Sequence, residues 1–122
     1  MIAVIFEVVP HDDQRQAYLD AAASLRGHLE QMDGFVSIER FQSLATPGKI
    51  LSLSFWRDED AVRVWRNHGL HRATQEQGRA FIFADYRLRV AAVLRDYGMD
   101  ERAEAPSDSR ARHDAPPVAR LT

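Results

Sequence analysis

The densest group of side chains that could do chemistry lies between residues 65 and 75. If this segment is helical, three- and four-residue steps bring its members together on one side. A histidine can act as a base near neutral pH, and an indole N–H donates hydrogen bonds. The segment therefore predicts one wall of a pocket, with Trp65, His68 and Arg72 on one side of the helix and Val64, His71 and Gln75 adjacent to them.

Two other interpretations of this segment are open. His68 and His71 could bind a metal, but a three-residue step is looser than the four-residue step of a zinc-binding helix. The sequence fixes no third ligand and contains no cysteine, so we predict no metal site. Trp65 follows Ala61 by one helical turn and could simply pack in the core, and His71 could be a half-buried histidine with a backbone partner.

Glu7 is an acid within the apolar run of residues 2–9. A carboxylate in such a place needs a partner or a raised pKa. The sequence favours an ion pair with Arg40 or Arg89 on a neighbouring strand. The alternative, an acid that lines a pocket, keeps Glu7 among the candidate substrate-binding residues.

Composition limits the classes of protein to consider. The 122 residues suit one domain, and the lack of cysteine excludes disulfide scaffolds and thiolate chemistry. The net charge is −2 and the 16 basic residues are dispersed, which gives no electrostatic case for nucleic acid. No apolar run approaches the ~20 residues of a membrane span, and the first residues lack a basic leader. We expect a soluble, cytoplasmic protein with no nucleic acid or membrane partner.

The elements that must position these residues follow from periodicity. Alternation predicts strands, and apolar residues at three- and four-residue steps predict helices. Asp58 is the expected cap of the second helix, and Gly69 interrupts that helix. The expected elements are a strand at 2–9, a helix from 12 or 13 to 31, strands at 35–43 and 50–57, a broken helix from 58 to 79, and a strand at 83–96.

This β-α-β-β-α-β order is typical of the ferredoxin-like α+β fold, with a four-stranded antiparallel sheet and helices on one face. The other face of the predicted sheet also carries apolar residues, which a soluble monomer would expose. We therefore expect a homodimer in which two sheets form an α+β barrel. Residues 1–99 form the expected domain. Residues 100–122 hold three of the five prolines and no aromatic residue, which predicts a flexible tail.

Several segments in this order resemble the antibiotic biosynthesis monooxygenase family, and the resemblance covers about residues 1–99. No single motif is diagnostic, and the resemblance lies in their combination. They are the segments 35–43, 49–56 and 58–61, then Trp65 and His71, and finally the segments 83–86 and 95–98.

The resemblance implies a dimeric α+β barrel whose enzymes oxygenate aromatic polyketides or quinols with O2, without metal or flavin. Such an enzyme needs a base and donors for the developing substrate anion. His71 or His68 would be the base and Trp65 a catalytic donor, aided by Asn67, Arg72 and Gln75. A small aromatic ligand would lie between the helices and the sheet, against Phe6, Phe55 and Phe83.

Two further functions stay open under this resemblance. The same superfamily contains haem-degrading monooxygenases, in which an Asn, a Trp and a His act on haem. Trp65 matches their Trp, but Glu7 stands at the Asn position. Gln75 falls near their His, with His71 one turn earlier. The third possibility is a dimeric, non-catalytic module that binds a small ligand, because a fold alone does not choose a function.

Overall fold

The computed structural model describes residues 1–114. A 3-10 turn, Asp12–Gln14, precedes the first helix, and a π-helical turn, Gly78–Ile82, leads into the last strand. The elements are β1 (Ile2–Pro10), α1 (Arg15–Glu30), β2 (Phe35–Gln42), β3 (Ile50–Trp56), α2 (Glu59–Arg66), α3 (Gly69–Gln77), β4 (Phe83–Ala92) and α4 (Ser107–His113).

The four strands form one sheet in the order β2-β3-β1-β4, and every neighbouring pair is antiparallel. This is the predicted ferredoxin-like α+β fold. In the split β-α-β connection, β1 and β2 run parallel with β3 between them. The described residues fall into two compact units, residues 1–92 and a second unit that begins at residue 93, and each is described separately.

Side chains alternate between the two faces of the sheet, as the pleat requires. Helices α1, α2 and α3 cover the face that carries the even-numbered residues of β1 and β3, which we call the inner face. One buried cluster there centres on Trp56 and Trp65, and a second centres on Val8 and Tyr18. The odd-numbered residues of β1 and β3 occupy the other face, which we call the outer face.

The start of α2 is fixed by several local contacts. Asp58 is the predicted N-cap, and its Oδ1 accepts a hydrogen bond from the Ala61 backbone N–H at 2.9 Å. Arg57 donates to both carboxylate oxygens of Asp33, each at 3.1 Å, and to Asp58 at 2.9 Å. Gly34 has a φ of +84°, and a Cβ there would lie 2.6 Å from the Ala61 Cβ. These contacts set where α2, and with it Trp65, lies over the sheet.

The C-terminal part of the chain differs from the expectation in two respects. Strand β4 was expected to end at residue 96, but it ends at Ala92. The next residue, Val93, begins the second unit. The second unit contains α4, which the composition did not predict. The predicted boundary at residue 99 stays a prediction, and the part of the predicted tail at 115–122 lies outside the described residues.

Within the second unit, Arg102 makes several contacts. Its Nε donates to Asp114 at 2.9 Å, its Nη1 donates to the Gly98 carbonyl at 3.0 Å, and the guanidinium lies 5.3 Å from the centre of the Tyr97 ring. Over residues 1–114, no helix is long and apolar enough to cross a membrane.

Candidate functional site

A cavity of about 190 Å³ lies between the inner face and helices α1 to α3, and it is partly open to solvent. Its wall is mainly apolar, with a few polar side chains, which is the usual character of a small-molecule site. No Asp or Glu of the described chain lines it. The polar lining residues are Tyr18, Arg40, Ser52, Ser54, Arg66, His71, Thr74 and Gln75.

His71 and Trp65 form the helical wall of this cavity. Their ring centres are 4.9 Å apart, because the break between α2 and α3 folds the first turn of α3 back towards the end of α2. The Nδ1 atom of His71 lies 3.4 Å from the Arg66 carbonyl oxygen. A carbonyl can only accept, so this bond requires the proton on Nδ1 and leaves a lone pair on Nε2 of the neutral ring.

Burial of the ring is the main cause that lowers the pKa of His71 below its ordinary value of 6.5. Electrostatic interactions with His68 and Arg72 also lower the pKa of His71, and the hydrogen bond with the Arg66 carbonyl opposes the shift. A neutral His71 at physiological pH can accept a proton through Nε2.

The two tryptophans of the cavity differ in their hydrogen bonding. Trp56 is 1% exposed, and its Nε1–H donates to the Ser54 hydroxyl at 3.0 Å. Trp65 is almost as buried, yet no residue within 1–114 accepts a hydrogen bond from its indole N–H. That donor is therefore free for a ligand.

The π-helical turn shapes the far end of the cavity. Gly78 begins the turn, and a Cβ at this position would lie 2.6 Å from the Phe83 ring. The missing side chain lets Phe83 pack close to the turn and join an aromatic cluster. Phe83 contacts Phe6, Tyr18 and Tyr86 with ring centres 5.7, 6.2 and 5.7 Å apart.

A group of three polar residues, Arg40, Tyr18 and Ser52, lies at the β2–β3 side of the cavity. The Arg40 Nε donates to the Tyr18 hydroxyl at 3.3 Å. Ser52 is 7% exposed and is the direct register partner of Arg40. In the described part of the chain no carboxylate lies within salt-bridge distance of Arg40.

The structure brings five of the ten predicted site residues to the cavity wall. They are Phe6, Trp65, His71, Gln75 and Phe83. The other five do not line it: Glu7, Phe55, Asn67, His68 and Arg72.

Glu7 and Phe55 lie on the outer face, because each has odd-numbered parity on its strand. Glu7 is one-third exposed and pairs with Lys49 at 3.2 Å and Arg89 at 3.5 Å. The Arg89 pair was predicted and Lys49 takes the place of Arg40. The hydrogen bond from Lys49 is the main cause that lowers the pKa of Glu7, so this carboxylate is charged at neutral pH.

Asn67, His68 and Arg72 hold the break between α2 and α3 together. The Arg72 guanidinium donates to the Asn67 side-chain oxygen. The His68 Nδ1 accepts from the Leu70 backbone N–H at 3.3 Å and so caps α3. The His68 ring stacks on Trp65 with a centre-to-centre distance of 5.4 Å, on the indole that also contacts His71. These residues position the cavity wall from outside it.

The sequence analysis missed Arg40, Tyr18 and Ser52 as cavity residues. One signal for them exists in the sequence: Ile38 and Arg40 have the same parity on β2, and Ser52 and Ser54 interrupt one face of β3 with hydroxyls. That signal can be used only when it is known which face of the sheet the helices cover. The sequence prediction placed Phe55, on the opposite face of β3 from Ser52 and Ser54, between the helices and the sheet.

The site residues do not fit the cofactors that the resemblance brought into question. No cluster of three or more His, Asp or Glu side chains suited to a metal occurs within residues 1–114. The cavity is smaller than the ~300 Å³ at which pockets for drug-sized ligands begin, and haem is larger than such ligands. We derive no step that uses haem.

Comparison with known proteins identifies the relatives of this chain. A family model described as antibiotic biosynthesis monooxygenase matches residues 1–77. Jasmonate monooxygenase ABM of Pyricularia oryzae is 50% identical over 93 residues, which are 76% of this chain and 43% of that protein. Uncharacterised protein YqjZ of Bacillus subtilis is 31% identical over 93 residues, 76% of this chain and 79% of that protein.

Solved structures agree in fold. Rv0793 of Mycobacterium tuberculosis superposes with a TM-score of 0.71 at 20% identity, over 80% of this chain and 98% of that chain. This likeness to Rv0793 shows the fold alone. Among the sequence relatives, the Pyricularia protein is more than twice as long as the part of it that this chain matches.

The sheet, its helices and the enclosed cavity define a ferredoxin-like α+β domain with an internal pocket. The family match and the identity to these relatives go further. The chain belongs to the antibiotic biosynthesis monooxygenase family, which confirms the resemblance found in the sequence.

Proposed function

We propose that this protein is a cofactor-independent monooxygenase that uses O2 to oxidise a small ring compound bearing an acidic C–H or O–H. The observation that carries the proposal is His71. It is a neutral histidine in the wall of an apolar cavity, with its Nδ1 proton held by a backbone carbonyl and its Nε2 lone pair free.

Without a cofactor, the substrate itself must supply the electrons. His71 Nε2 removes a proton from an activated CH2 group of the substrate or from the O–H group of a quinol. The resulting carbanion, or a ring carbon of the quinolate, reduces O2 and combines with it to give a peroxide. The His71 imidazolium returns its proton to the peroxide oxygen. Loss of the second C–H proton and cleavage of the O–O bond then give a carbonyl group and water. One oxygen atom enters the product and the other leaves as water.

The remaining polar groups of the cavity suit the charged intermediates. The free Trp65 N–H and the Gln75 amide can donate to the substrate anion or to the peroxide. The apolar wall lowers the local dielectric constant, which strengthens these bonds. Phe6 and Phe83 offer ring faces for an aromatic substrate.

The cavity volume bears on the size of the substrate. At about 190 Å³ the cavity is somewhat larger than the ~150 Å³ that hold a benzene-sized molecule. A quinol or another compound of one ring fits this volume better than a multi-ring polyketide. The Pyricularia relative is named for a monooxygenase reaction on jasmonate, which supports oxygenation of a small molecule.

We also propose that the active form is a homodimer joined through the outer face. Ile5, Leu53 and Phe55 are only partly covered there, and Phe41 is 43% exposed. A second copy of the same face would cover these apolar groups.

The test is oxygen uptake by metal-free and haem-free protein with a panel of quinols and ring compounds with an activated CH2 group. With 18O2 as the oxidant, we expect one labelled oxygen atom per product molecule and the other in water. Uptake that yields hydrogen peroxide alone would contradict monooxygenation.

A non-catalytic binding module is the second candidate, and the free donors of the cavity also suit it. Its signature is binding of the same compounds with no oxygen uptake above the rate of the buffer. The 18O2 experiment therefore separates the two functions.

A further inference from the structure

We propose that the group of Arg40, Tyr18 and Ser52 binds the carboxylate of the substrate, so that the natural ligand is a small ring compound carrying a carboxylic acid. This inference rests on the proposed ligand cavity and specifies one end of its ligand.

The first argument is the charge of the cavity. Arg40 is a permanent cation, since its guanidinium stays protonated at any ordinary pH. It lies in a mainly apolar wall, and no described carboxylate pairs with it. A buried or half-buried cation normally has an acidic partner, because its charge is costly without one. Among the described residues that line the cavity, Arg66 is the only other charged one besides the titratable His71, and it is also basic. The described lining therefore contains no anion.

The second argument is the number of free donors. The Tyr18 hydroxyl accepts from Arg40 Nε, and this leaves its own O–H free to donate. The bond also leaves both Nη groups of Arg40 without a described acceptor. The Ser52 hydroxyl lines the cavity and has no hydrogen-bond partner among residues 1–114. Two parallel N–H donors and two hydroxyls match the two oxygens of a carboxylate.

The third argument is the order of residues across the sheet. The backbone register places Arg40, Ser52, Phe6 and Leu88 in one row across all four strands, on the inner face. The row runs from a cation through a hydroxyl to apolar side chains. A ligand with a charged end and an apolar ring matches this order, with its ring against Phe6.

The experiment uses two probes of the same skeleton, 3-phenylpropanoate and 3-phenylpropan-1-ol, whose binding to the full chain is measured by calorimetry at neutral pH. Neither probe has an activated C–H, so binding is read without turnover. We expect the acid to bind about tenfold or more tightly than the alcohol, since hydrogen bonds to a charged group are the strong ones.

Substitution then assigns the preference to Arg40. Arg40→Gln should weaken binding of the acid by about 10- to 100-fold and leave the alcohol within about twofold. Arg40→Lys keeps the positive charge and loses the two parallel N–H donors of the guanidinium. This variant should retain part of the preference for the acid over the alcohol. Arg63→Gln is the matched control, because Arg63 is exposed on α2 and does not line the cavity. It should change neither affinity.

Three results would overturn the proposal. If acid and alcohol bind the parent equally, the cavity has no carboxylate site, whereas the proposed oxygenation stands. If Arg40→Gln and Arg40→Lys weaken both probes alike, Arg40 acts in packing. If neither probe binds at millimolar concentration, this proposal fails together with the assignment of the cavity as a ligand site, and oxygen uptake then tests whether the proposed function survives elsewhere.

Discussion

The two faces of the sheet differ in whether a charged side chain has a partner of opposite charge. On the outer face, the acid Glu7 has two cations, Lys49 and Arg89, within 3.5 Å. On the inner face, the cation Arg40 has a phenol as its hydrogen-bond partner and no described acid. The charge of Glu7 therefore has its counter-charges within the chain. Arg40 has no counter-charge among the described residues, and we propose that a ligand supplies it. On this proposal the outer group is a structural ion pair and the inner group is a binding site.

The apolar residues show the reverse contrast. Strand β3 has serines on the inner face and leucines and a phenylalanine on the outer face. The face that the helices cover is therefore the more polar side of this strand. We interpret this as the mark of two different contacts: a ligand on the inner face and a second subunit on the outer face.

The largest expected effect is a loss of activity when a residue of the cavity is changed, compared with no loss when a residue of the outer face is changed. His71→Gln removes the base and should lower kcat by about 10² to 10⁴, with the substrate identified by oxygen uptake. In the parent, kcat/KM should fall as the pH is lowered through an apparent pKa below 6.5, because protonation of His71 removes the base. The variant should lose that dependence. Glu7→Gln on the outer face is the control, and equal loss in both variants would refute the contrast.

The next effect concerns the outer face alone. Leu53→Glu places a charge among partly covered apolar residues and should convert the dimer to a monomer, because burial of an unpaired carboxylate is costly. Light scattering should show the mass of one chain. Val64→Glu, at a 50% exposed apolar residue of α2, should leave the mass at two chains. A monomeric parent at micromolar concentration would reject the barrel.

A smaller effect compares the two tryptophans of the inner face. Trp56→Phe loses the hydrogen bond to Ser54 and should lower the free energy of unfolding by about 1–3 kcal/mol. Trp65→Phe breaks no hydrogen bond, so it should lower the free energy of unfolding, measured with denaturant, by less than Trp56→Phe does. It should nevertheless lower kcat about tenfold, because it removes a free donor. Equal stability losses with unchanged turnover would mean that Trp65 only packs.

The smallest effect is the stability change of Glu7→Gln itself. Its ion pairs are one-third to one-half exposed, so solvent screens them. Because the pKa of Glu7 is lowered in the fold, its contribution is present at neutral pH and is lost as the pH falls through that pKa, below 4.5. Thermal unfolding should show that Glu7→Gln lowers the stability less than Trp56→Phe does. The effect of Glu7→Gln should become smaller still in added salt, which screens the ion pairs.

Local patterns predicted most of the fold. Alternation located β1 to β3, and Asp58 marked the start of α2. The predicted end of β4 was wrong because Val93, Leu94 and Arg95 continue the strand-like composition beyond the last pairing, at Ala92. No propensity marks the π turn, which follows from how Phe83 packs on Gly78.

The candidate site was only partly predictable. Trp65, His71 and Gln75 are neighbours along the chain, so a helical wheel could group them. Arg40 and Tyr18 are 22 residues apart and meet only through the register of β2 and the docking of α1. Phe55 was grouped with the cavity because alternation says which residues share a face but not which face meets the helices.

Gly78 has a consequence for how this family member could acquire other substrates. Because its absent side chain is what admits the Phe83 ring, a larger residue at position 78 would require that ring, which lines the cavity, to move. Laboratory evolution towards compounds of another size should therefore change positions 78 and 83 together. The space beside the Phe83 ring is thus set at position 78, apart from the proposed base His71.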